Sequence, residues 1–219
     1  MSVISQMVSV PADRVTLPGE FVVPASSRAT AVLAYGLHAS PQDPHVRSVA
    51  DELHRAGFAT LVTDLFSETE AQRSDRGEGQ QVDLALLGRR LVAAVDWVTI
   101  QPDARGLPVL LCGSGAEAAV ALLAAADLPD GVSAVVSCDG QPELAGAALE
   151  RVRVPVLFVV DAEEPQSLSA HQEAARRLAG PHTLREVPGL TRRFTEPGVL
   201  QRAVHTIEEW CEELVPRTG

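Results

Sequence analysis

Lysine and asparagine are both absent from this chain of 219 residues, so its 18 basic side chains other than histidine are all arginine. Both missing amino acids have A-rich codons, and their absence suggests a GC-rich genome, typical of many bacteria. The 29 acidic residues outnumber the arginines and give a formal net charge of -11. A charge of that sign and size disfavours nucleic acids and anionic membrane surfaces as partners.

Cysteine is scarce as well. Cys112, Cys138 and Cys211 are an odd number and show no CxxC spacing, so neither a disulfide framework nor a zinc site is indicated. No apolar run approaches the roughly 18 residues of a membrane-spanning helix, and the N-terminus lacks a basic segment followed by an apolar one. We therefore expect a cytoplasmic protein, and the sequence implies no metal or organic cofactor.

Apolar residues are abundant: 46% of the residues are hydrophobic, and the mean hydropathy is +0.08. Those values are ordinary for a soluble globular protein. A chain of this length can bury a large fraction of its surface as one α/β domain. Because no repeat or low-complexity segment divides the sequence, we expect a single domain over residues 1–219, without room for a large lid.

The stretch 108–126, PVLLCGSGAEAAVALLAAA, organises the rest of the chain. It begins with the short apolar run Val109–Cys112, continues through a glycine-rich turn at 113–115 and ends in an alanine-rich helical segment. This succession is typical of a parallel sheet strand that leads into a crossover helix. It also has the shape of a nucleophile elbow, G-x-S-x-G, with Gly115 standing where the nucleophile belongs.

Strands and helices alternate along the remaining sequence, which predicts a doubly wound, mostly parallel sheet with an antiparallel start. Asp43 and Pro44 fit the N-cap and first residue of a helix, and the polar segment 67–81 is expected to be a surface loop. Residues 1–13 carry no strong signal. The predicted strands lie at 15–17, 21–23 (around a turn at Pro18-Gly19), 30–35, 59–65, 109–112, 133–137, 154–160 and 182–187. The predicted helices lie at 44–57, 84–102, 116–126, 145–149 and 168–178, followed by a last helix burying Leu200, Val204, Ile207, Cys211 and Leu214.

Five local motifs resemble the dienelactone hydrolase-like branch of the α/β-hydrolases, over roughly residues 8–214. They are LAYG at 33–36, RAGFATLVTDL at 55–65, RRLVAAVDWV at 89–98, the strand-turn-helix at 108–126 and VPG at 187–189. The resemblance implies an α/β-hydrolase fold. It also implies a catalytic triad of a Ser or Cys nucleophile, a His base and an acid that orients the His.

The resemblance places those three roles at Gly115, Arg192 and Glu164. Glycine has no nucleophile, and a guanidinium stays protonated at any working pH, so Arg192 cannot be the base. Glu164 could still orient a base. Glu164 and Arg192 could instead form an ion pair that fills the site, the simpler interpretation, or Arg192 could bind an anionic substrate.

Ser114 is an alternative nucleophile if the motif is shifted by one residue. That frame loses both glycines that the sharp turn needs, and it requires a histidine near Arg192. His182 lies on the wrong side of VPG to supply one. The simpler interpretation of Ser114 is a small residue that satisfies backbone amides in the turn.

The resemblance places further candidate residues around the same pocket. The loop Gly36, Leu37, His38 would line it and supply an oxyanion-hole amide, with a second amide from Ala116, and His38 could act as an acid or base. Tyr35 stands where the family has histidine and offers a phenolic donor. Glu117 replaces the last glycine of the motif, where an acidic residue also suits a helix N-terminus. The simpler interpretations are an exposed loop histidine for His38 and a structural hydrogen bond for Tyr35.

Three functions follow from these residues. The first is non-hydrolytic chemistry on a small organic molecule, a cyclisation, elimination or isomerisation of the kind found in bacterial specialised metabolism. Its catalytic candidates are His38, Glu117, Glu164 and Tyr35, and substrate would contact Gly36, Leu37, Ser114, Gly115, Ala116 and Arg192. The second is a catalytically inactive ligand-binding or partner protein, and the third a weak esterase or lactonase that uses Ser114. A homodimer is left open.

Overall fold

A computed structural model describes residues 3–35, 43–75, 82–161, 163–191, 194 and 198–214. The candidate residues Gly36, Leu37, His38 and Arg192 lie outside these ranges. The strands are β1 (Val3–Ala12), β2 (Val15–Pro24), β3 (Ala29–Tyr35), β4 (Phe58–Asp64), β5 (Val109–Gly115), β6 (Ala134–Gly140), β7 (Val156–Val160) and β8 (His182–Glu186). The α-helices are α1 (Pro44–Arg55), α2 (Glu68–Asp75), α3 (Leu84–Thr99), α4 (Ala116–Asp127), α5 (Pro165–Arg177) and α6 (Val199–Leu214), and short 3₁₀ segments cover Pro102–Ala104 and Pro142–Arg151.

All eight of these strands form one sheet in the order β1-β2-β4-β3-β5-β6-β7-β8. The pairs β1/β2 and β2/β4 are antiparallel, and every other neighbouring pair is parallel. The predicted doubly wound, mostly parallel sheet with an antiparallel start is therefore confirmed. Because β3 to β7 run in one direction, their carboxyl ends meet at one edge, where ligands bind in sheets of this type.

The antiparallel start differs from the prediction in where the chain turns. Asp13 and Arg14, with φ of 46° and 67°, form the two-residue turn, and β2 runs straight through Pro18 and Gly19. Pro18 lies just before the stretch of β2 that pairs with β4, so its missing N–H breaks no pair there. Gly19 is needed for a different reason than a turn: a Cβ there would lie 2.8 Å from the Val62 carbonyl oxygen of β4.

The predicted loop at 67–81 was wrong for its first half, because Glu68–Asp75 is the helix α2. Ser67 and Glu70 form a capping box: the Ser67 N–H and hydroxyl donate to Glu70 Oε2 at 2.9 and 2.8 Å, and the Glu70 N–H donates to Ser67 Oγ at 3.4 Å. Glu70 also receives two hydrogen bonds from Arg90 of α3, at 2.8 and 2.7 Å. This long-range ion pair fixes a helix whose own sequence is too polar to show a buried face.

The helices cover both faces of the sheet. Buried residues of α1 and α6 pack on one face, while those of α3, α4 and α5 pack on the other. α1 is as predicted, with Asp43 accepting the His45 N–H at 2.8 Å and Val46, Val49, Ala50 and Leu53 buried. In α6, Val204 and Ile207 are buried as expected, but Leu214 is exposed and Trp210 is buried in its place. Among the described residues, no helix is long and apolar enough to cross a membrane.

Candidate functional site

The corner between β5 and α4 lies at the carboxyl edge, in the middle of the sheet. Gly115 ends the strand with φ 55° and ψ −132°, a backbone conformation that side-chain-bearing residues rarely adopt. It is the only residue of β5 and α4 with positive φ. The sharp turn of the predicted elbow is therefore made at residue 115, one position after Ser114.

Gly113 is required by close contact rather than by its backbone angles. A Cβ at this position would lie 2.6 Å from the carbonyl carbon and oxygen of Glu117 and 2.7 Å from the Ala118 nitrogen. The first turn of α4 thus rests directly on the β5 backbone. This contact fixes where the helix begins and which amides face the carboxyl edge.

Ser114 is half-buried and lies on the sheet face covered by α1 and α6. It pairs with Cys138 on β6 and lines the same small cavity as Tyr35 and Cys112. Within the described part of the chain, the Ser114 hydroxyl has no hydrogen bond to a histidine. Ser114 therefore lines the cavity next to the β5–α4 corner and does not form the corner itself.

The cavity next to the corner is apolar and small, about 40 Å³. A water molecule fits in such a volume, whereas small-molecule sites usually measure about 300 Å³ or more. The described residues that line it are Leu33, Tyr35, Val49, Leu53, Cys112, Gly113, Ser114, Val136, Cys138, Phe194, Leu200, Ala203, Val204 and Ile207. A substrate held here would have to displace part of this lining.

Phe194 is one wall of the cavity, in the segment that precedes α6. Its φ is 46°, an uncommon value for a bulky residue, and its N–H donates to the Thr191 carbonyl at 3.0 Å. Its ring stacks on the His45 ring of α1, with centroids 5.6 Å apart. Phe194 therefore connects the lining of the cavity to α1 through its ring contact with His45.

The ionisable groups of the cavity stay neutral near pH 7. Burial raises the pKa of the Tyr35 phenol well above its usual value, and Cys112, Cys138 and Glu117 raise it further. Burial likewise raises the pKa of the Cys112 thiol and, with Asp139, brings the pKa of Cys138 to about 12. Tyr35 can consequently donate a hydrogen bond, but neither cysteine is a thiolate nucleophile.

Glu117 lies in the first turn of α4 and is only 6% exposed. Its charge is one of those that add to the burial-raised pKa of the Tyr35 phenol. A carboxylate at a helix N-terminus is favoured by the helix dipole. Tyr35 and Ser114 thus line one cavity, and Gly115, Ala116 and Glu117 follow Ser114 along the chain into the first turn of α4.

The resemblance places Glu164 as the acid of the triad, a role that calls for a buried carboxyl near the base. Glu164 does not lie in such a position. It is exposed at the N-cap of α5, and its side chain makes no capping hydrogen bond. The buried acid at the end of β7 is Asp161, whose Oδ1 accepts the Glu163 N–H at 3.0 Å. Sequence reasoning missed Asp161, since a position directly after a buried strand does not by itself distinguish a buried acid from an exposed one.

Asp64 is a second buried acid at the carboxyl edge that the sequence did not single out. It ends β4 opposite Tyr35 in the register, and its Oδ1 accepts the Phe66 N–H at 2.8 Å. Burial raises its pKa to about 6, and Glu70 adds to the rise, against the Phe66 hydrogen bond and Arg90. Among the described residues, no group of three or more His, Cys, Asp and Glu side chains is placed to hold a metal ion.

Replacing Asp64 by asparagine is expected to stabilise the protein above pH 6, by on the order of 2 kcal/mol. Because its pKa is higher in the fold than in the unfolded chain, Asp64 reduces stability as pH rises from about 4 to about 6. Asparagine keeps an oxygen for the Phe66 N–H without the buried charge. Urea unfolding at pH 4, 6 and 7.5 measures the gain, with the exposed Asp130→Asn as control. Equal pH dependence in D64N and wild type would contradict this account.

Comparison with known proteins shows which protein family this chain resembles. Residues 21–184 match the sequence profile of the dienelactone hydrolase family. A dienelactone hydrolase from Anabaena variabilis is 34% identical and superposes with a TM-score of 0.89 over 96% of this chain and 98% of that one. The protein Est1E from Butyrivibrio proteoclasticus, at 15% identity, superposes with a TM-score of 0.76 over 96% and 99% of the two chains, a likeness of fold alone. The α/β-hydrolase fold implied by the sequence motifs is thereby confirmed.

Two proteins of Mycobacterium tuberculosis, from strains CDC 1551 and H37Rv, carry the name "Putative phosphoribosyl transferase" and are 37% identical to this chain over 203 residues. The match covers 93% of this chain but 45% of each relative. This chain therefore spans about half the length of the curated relatives that it matches.

Proposed function

The chain belongs to the dienelactone hydrolase family, and from that premise we propose that it works without a covalent acyl-enzyme. In this proposal it holds a small organic molecule beside the β5–α4 corner. It then catalyses a non-hydrolytic reaction such as a cyclisation, elimination or isomerisation. Positioning and proton transfer carry the chemistry.

The observation that carries this proposal is the backbone of Gly115. Its φ of 55° and ψ of −132° mark the corner where the elbow motif would present a nucleophile, and the residue there has no side chain. Cys112 and Cys138 are held as thiols by burial. At the position that the family resemblance assigns to the base, the sequence has Arg192. A chain with these residues has no evident way to form and release an acyl intermediate.

Three groups could support acid–base work. The Glu117 carboxylate can accept a proton from the substrate. The neutral Tyr35 phenol and the Ala116 N–H can donate hydrogen bonds to the oxygen on which negative charge develops. Gly115 has no side chain that could cap the N-terminus of α4, so in this proposal the first amides of the helix bind the ligand. Because the Tyr35 pKa is raised, the phenol stabilises such an oxygen without giving up its proton.

A catalytically inactive ligand-binding or partner protein is the second candidate, and the small cavity favours the partner protein, which needs no room for an organic molecule. About 40 Å³ between the described side chains is too little for an organic substrate. Catalysis, like ligand binding, would need described lining side chains such as Phe194 to move. A protein that binds without reaction would show that movement and no product.

The name of the mycobacterial relatives does not determine the function of this chain. The matched segment carries the dienelactone hydrolase profile and is 45% of each relative. Because this chain matches less than half of each relative, the name of the whole relative does not carry over to it. The weak hydrolase that uses Ser114 remains an outcome of the experiment below.

The absence of an acyl-enzyme is tested by intact-mass analysis after incubation with a fluorophosphonate and an activated ester. Wild type and Ser114→Ala are expected to show no adduct. Gly115→Ser puts a hydroxyl on the corner and should gain an adduct, which should form faster when Arg192→His supplies a base. An adduct in wild type that disappears in S114A would overturn the proposal in favour of the Ser114 hydrolase.

Reaction and binding are separated by product analysis with a panel of lactones and enol esters. Hydrolysis adds one water to the mass of the substrate, whereas cyclisation, elimination or isomerisation does not. Glu117→Gln is expected to lose turnover by at least about 100-fold while it keeps ligand binding, measured by thermal shift. Ligand binding by wild type with no product from any compound would support the inactive binding protein.

A further inference from the structure

The two edges of the sheet differ in how they are protected from pairing with another chain. β8 is five residues long and carries His182, Arg185 and Glu186, as protected edges commonly do. β1 is ten residues long, VISQMVSVPA, and contains no ionisable side chain. β1 therefore lacks the charges that normally prevent edge-to-edge pairing.

The hairpin turn determines which backbone groups of β1 point outward. Asp13 and Arg14 both have positive φ, as in a type I′ turn, and such a turn is closed by a hydrogen-bonded pair, here Ala12 and Val15. Hydrogen-bonded and non-hydrogen-bonded pairs alternate along antiparallel strands. The even residues of β1 therefore bond to β2, and the N–H and C=O groups of the odd residues face the free edge.

Proline positions agree with this alternation. Pro11 of β1 is odd, and Pro18 and Pro24 of β2 lie opposite the odd residues Ser9 and Val3. All three prolines thus belong to non-hydrogen-bonded pairs of β1 and β2, where no N–H is donated between the two strands. The residues that offer both backbone groups at the free edge are Val3, Ser5, Met7 and Ser9.

The surface around this edge suits a copy of the same chain. Val3 is 58% exposed and Met7 65% exposed, and Ile4 on the opposite face is exposed as well. Two copies with a net charge of -11 each repel one another over most of their surfaces. The uncharged strand β1 is the part of the surface where this repulsion between the two copies is weakest. The acid nearest to it, Glu20 of β2, accepts a hydrogen bond from the Ser5 hydroxyl at 3.3 Å.

We propose that β1 pairs antiparallel with β1 of a second copy of this chain, with a two-fold axis at Gln6, so that the two sheets become continuous. In this register Val3 lies opposite the partner's Ser9 and Ser5 opposite the partner's Met7. All four outward-facing residues are then paired. On the other face of the joined sheet, Ile4 packs against the partner's Val8.

Gln6 provides the sharpest test of this register. On the axis it faces its own copy in a non-hydrogen-bonded pair, with Cα atoms about 4.5 Å apart, inside the range that a disulfide spans. Gln6→Cys is expected to form a covalent dimer under mild oxidation at least about tenfold faster than His182→Cys, an exposed position on β8. Wild type, whose three cysteines are buried or half-buried, controls for native thiols.

Sedimentation tests the non-covalent dimer. Wild type is expected to show a concentration-dependent dimer. Met7→Pro removes one outward N–H and leaves the bonds to β2 intact, so it should be monomeric with little change in melting temperature. Should M7P unfold, a charge pair replaces it: Ser5→Lys/Met7→Lys alone should be monomeric, and mixing it with Ser5→Glu/Met7→Glu should give heterodimers.

Three results would overturn the proposal. One is a wild type that stays monomeric up to millimolar concentration, in which case nothing or another protein covers β1. Another is cross-linking of Q6C no faster than that of H182C. The third is a dimer that survives like charges at residues 5 and 7, which would place the interface elsewhere.

Discussion

Replacing Glu70 by alanine is expected to lower the free energy of unfolding by about 3 kcal/mol, because it leaves a buried charge without its partner. Arg90 is only 3% exposed and donates two hydrogen bonds to the Glu70 carboxylate and one to the Leu65 carbonyl at 2.8 Å. The same carboxylate closes the capping box of α2 with Ser67. One substitution therefore removes both the ion pair and the Glu70 carboxylate half of the capping box, while the bond from the residue 70 N–H to Ser67 Oγ is kept.

The Glu70 prediction has two controls. Glu68→Ala removes an acid from the same helix turn, and it should cost well under 1 kcal/mol. Glu70→Ala combined with Arg90→Met removes both charges and should recover part of the loss, since the unpaired guanidinium is then gone. A double variant no more stable than E70A would show that the cap, rather than the buried charge, carries the effect.

The effect of Glu70 should also depend on pH. Its pKa is lowered to about 2, mainly by the hydrogen bonds from Arg90. A lowered acid pKa stabilises the fold above pH 4.5, and this stabilisation is lost as pH falls from 4.5 toward 2. The difference between wild type and E70A should therefore shrink over that interval in chemical unfolding experiments.

Gly113→Ala is expected to cost more than about 4 kcal/mol or to prevent folding altogether. The new methyl group would lie 2.6 Å from backbone atoms of Glu117, and relief requires moving the start of α4. That helix cannot shift cheaply, since Ala118 to Leu122 are all buried in the core. Unfolding by urea, with expression yield as a second readout, measures the loss.

Gly131→Ala is the matched control for Gly113. A Cβ there would meet only Leu128 side-chain atoms, at 3.5 Å or more, and its φ is not in the left-handed region. The change in unfolding free energy should stay within about 0.5 kcal/mol. Similar losses in G113A and G131A would refute the close contact between β5 and α4.

The fold was predictable from the sequence wherever burial imposes a pattern. β3, β5 and β7 are buried runs of apolar residues, and α1 shows its apolar face at helical spacing. β1 gave no such signal because most of its side chains are exposed. α2 was missed since its stability comes from Arg90, which lies 20 residues further along the chain.

The site was predictable to the extent that it follows from one motif. The turn at 113–115 could be read from sequence because the glycines have local roles. Asp64 and Asp161 could not, because an acid after a strand looks like any surface acid until the packing around it is known. Glu164 and Asp161 are three residues apart, and only the path of the chain after β7 determines which carboxyl is buried.

The backbone at residue 115 has an evolutionary consequence. Serine at φ 55° would carry strain on the order of 1–3 kcal/mol that glycine avoids. A chain released from selection for covalent chemistry would thus gain stability by this substitution. Glycine and serine codons can differ by a single nucleotide, as can those of arginine and histidine. On the function proposed above, a scaffold of this kind could lose or regain a nucleophile at this corner in very few mutational steps, while its strands and helices stay where they are.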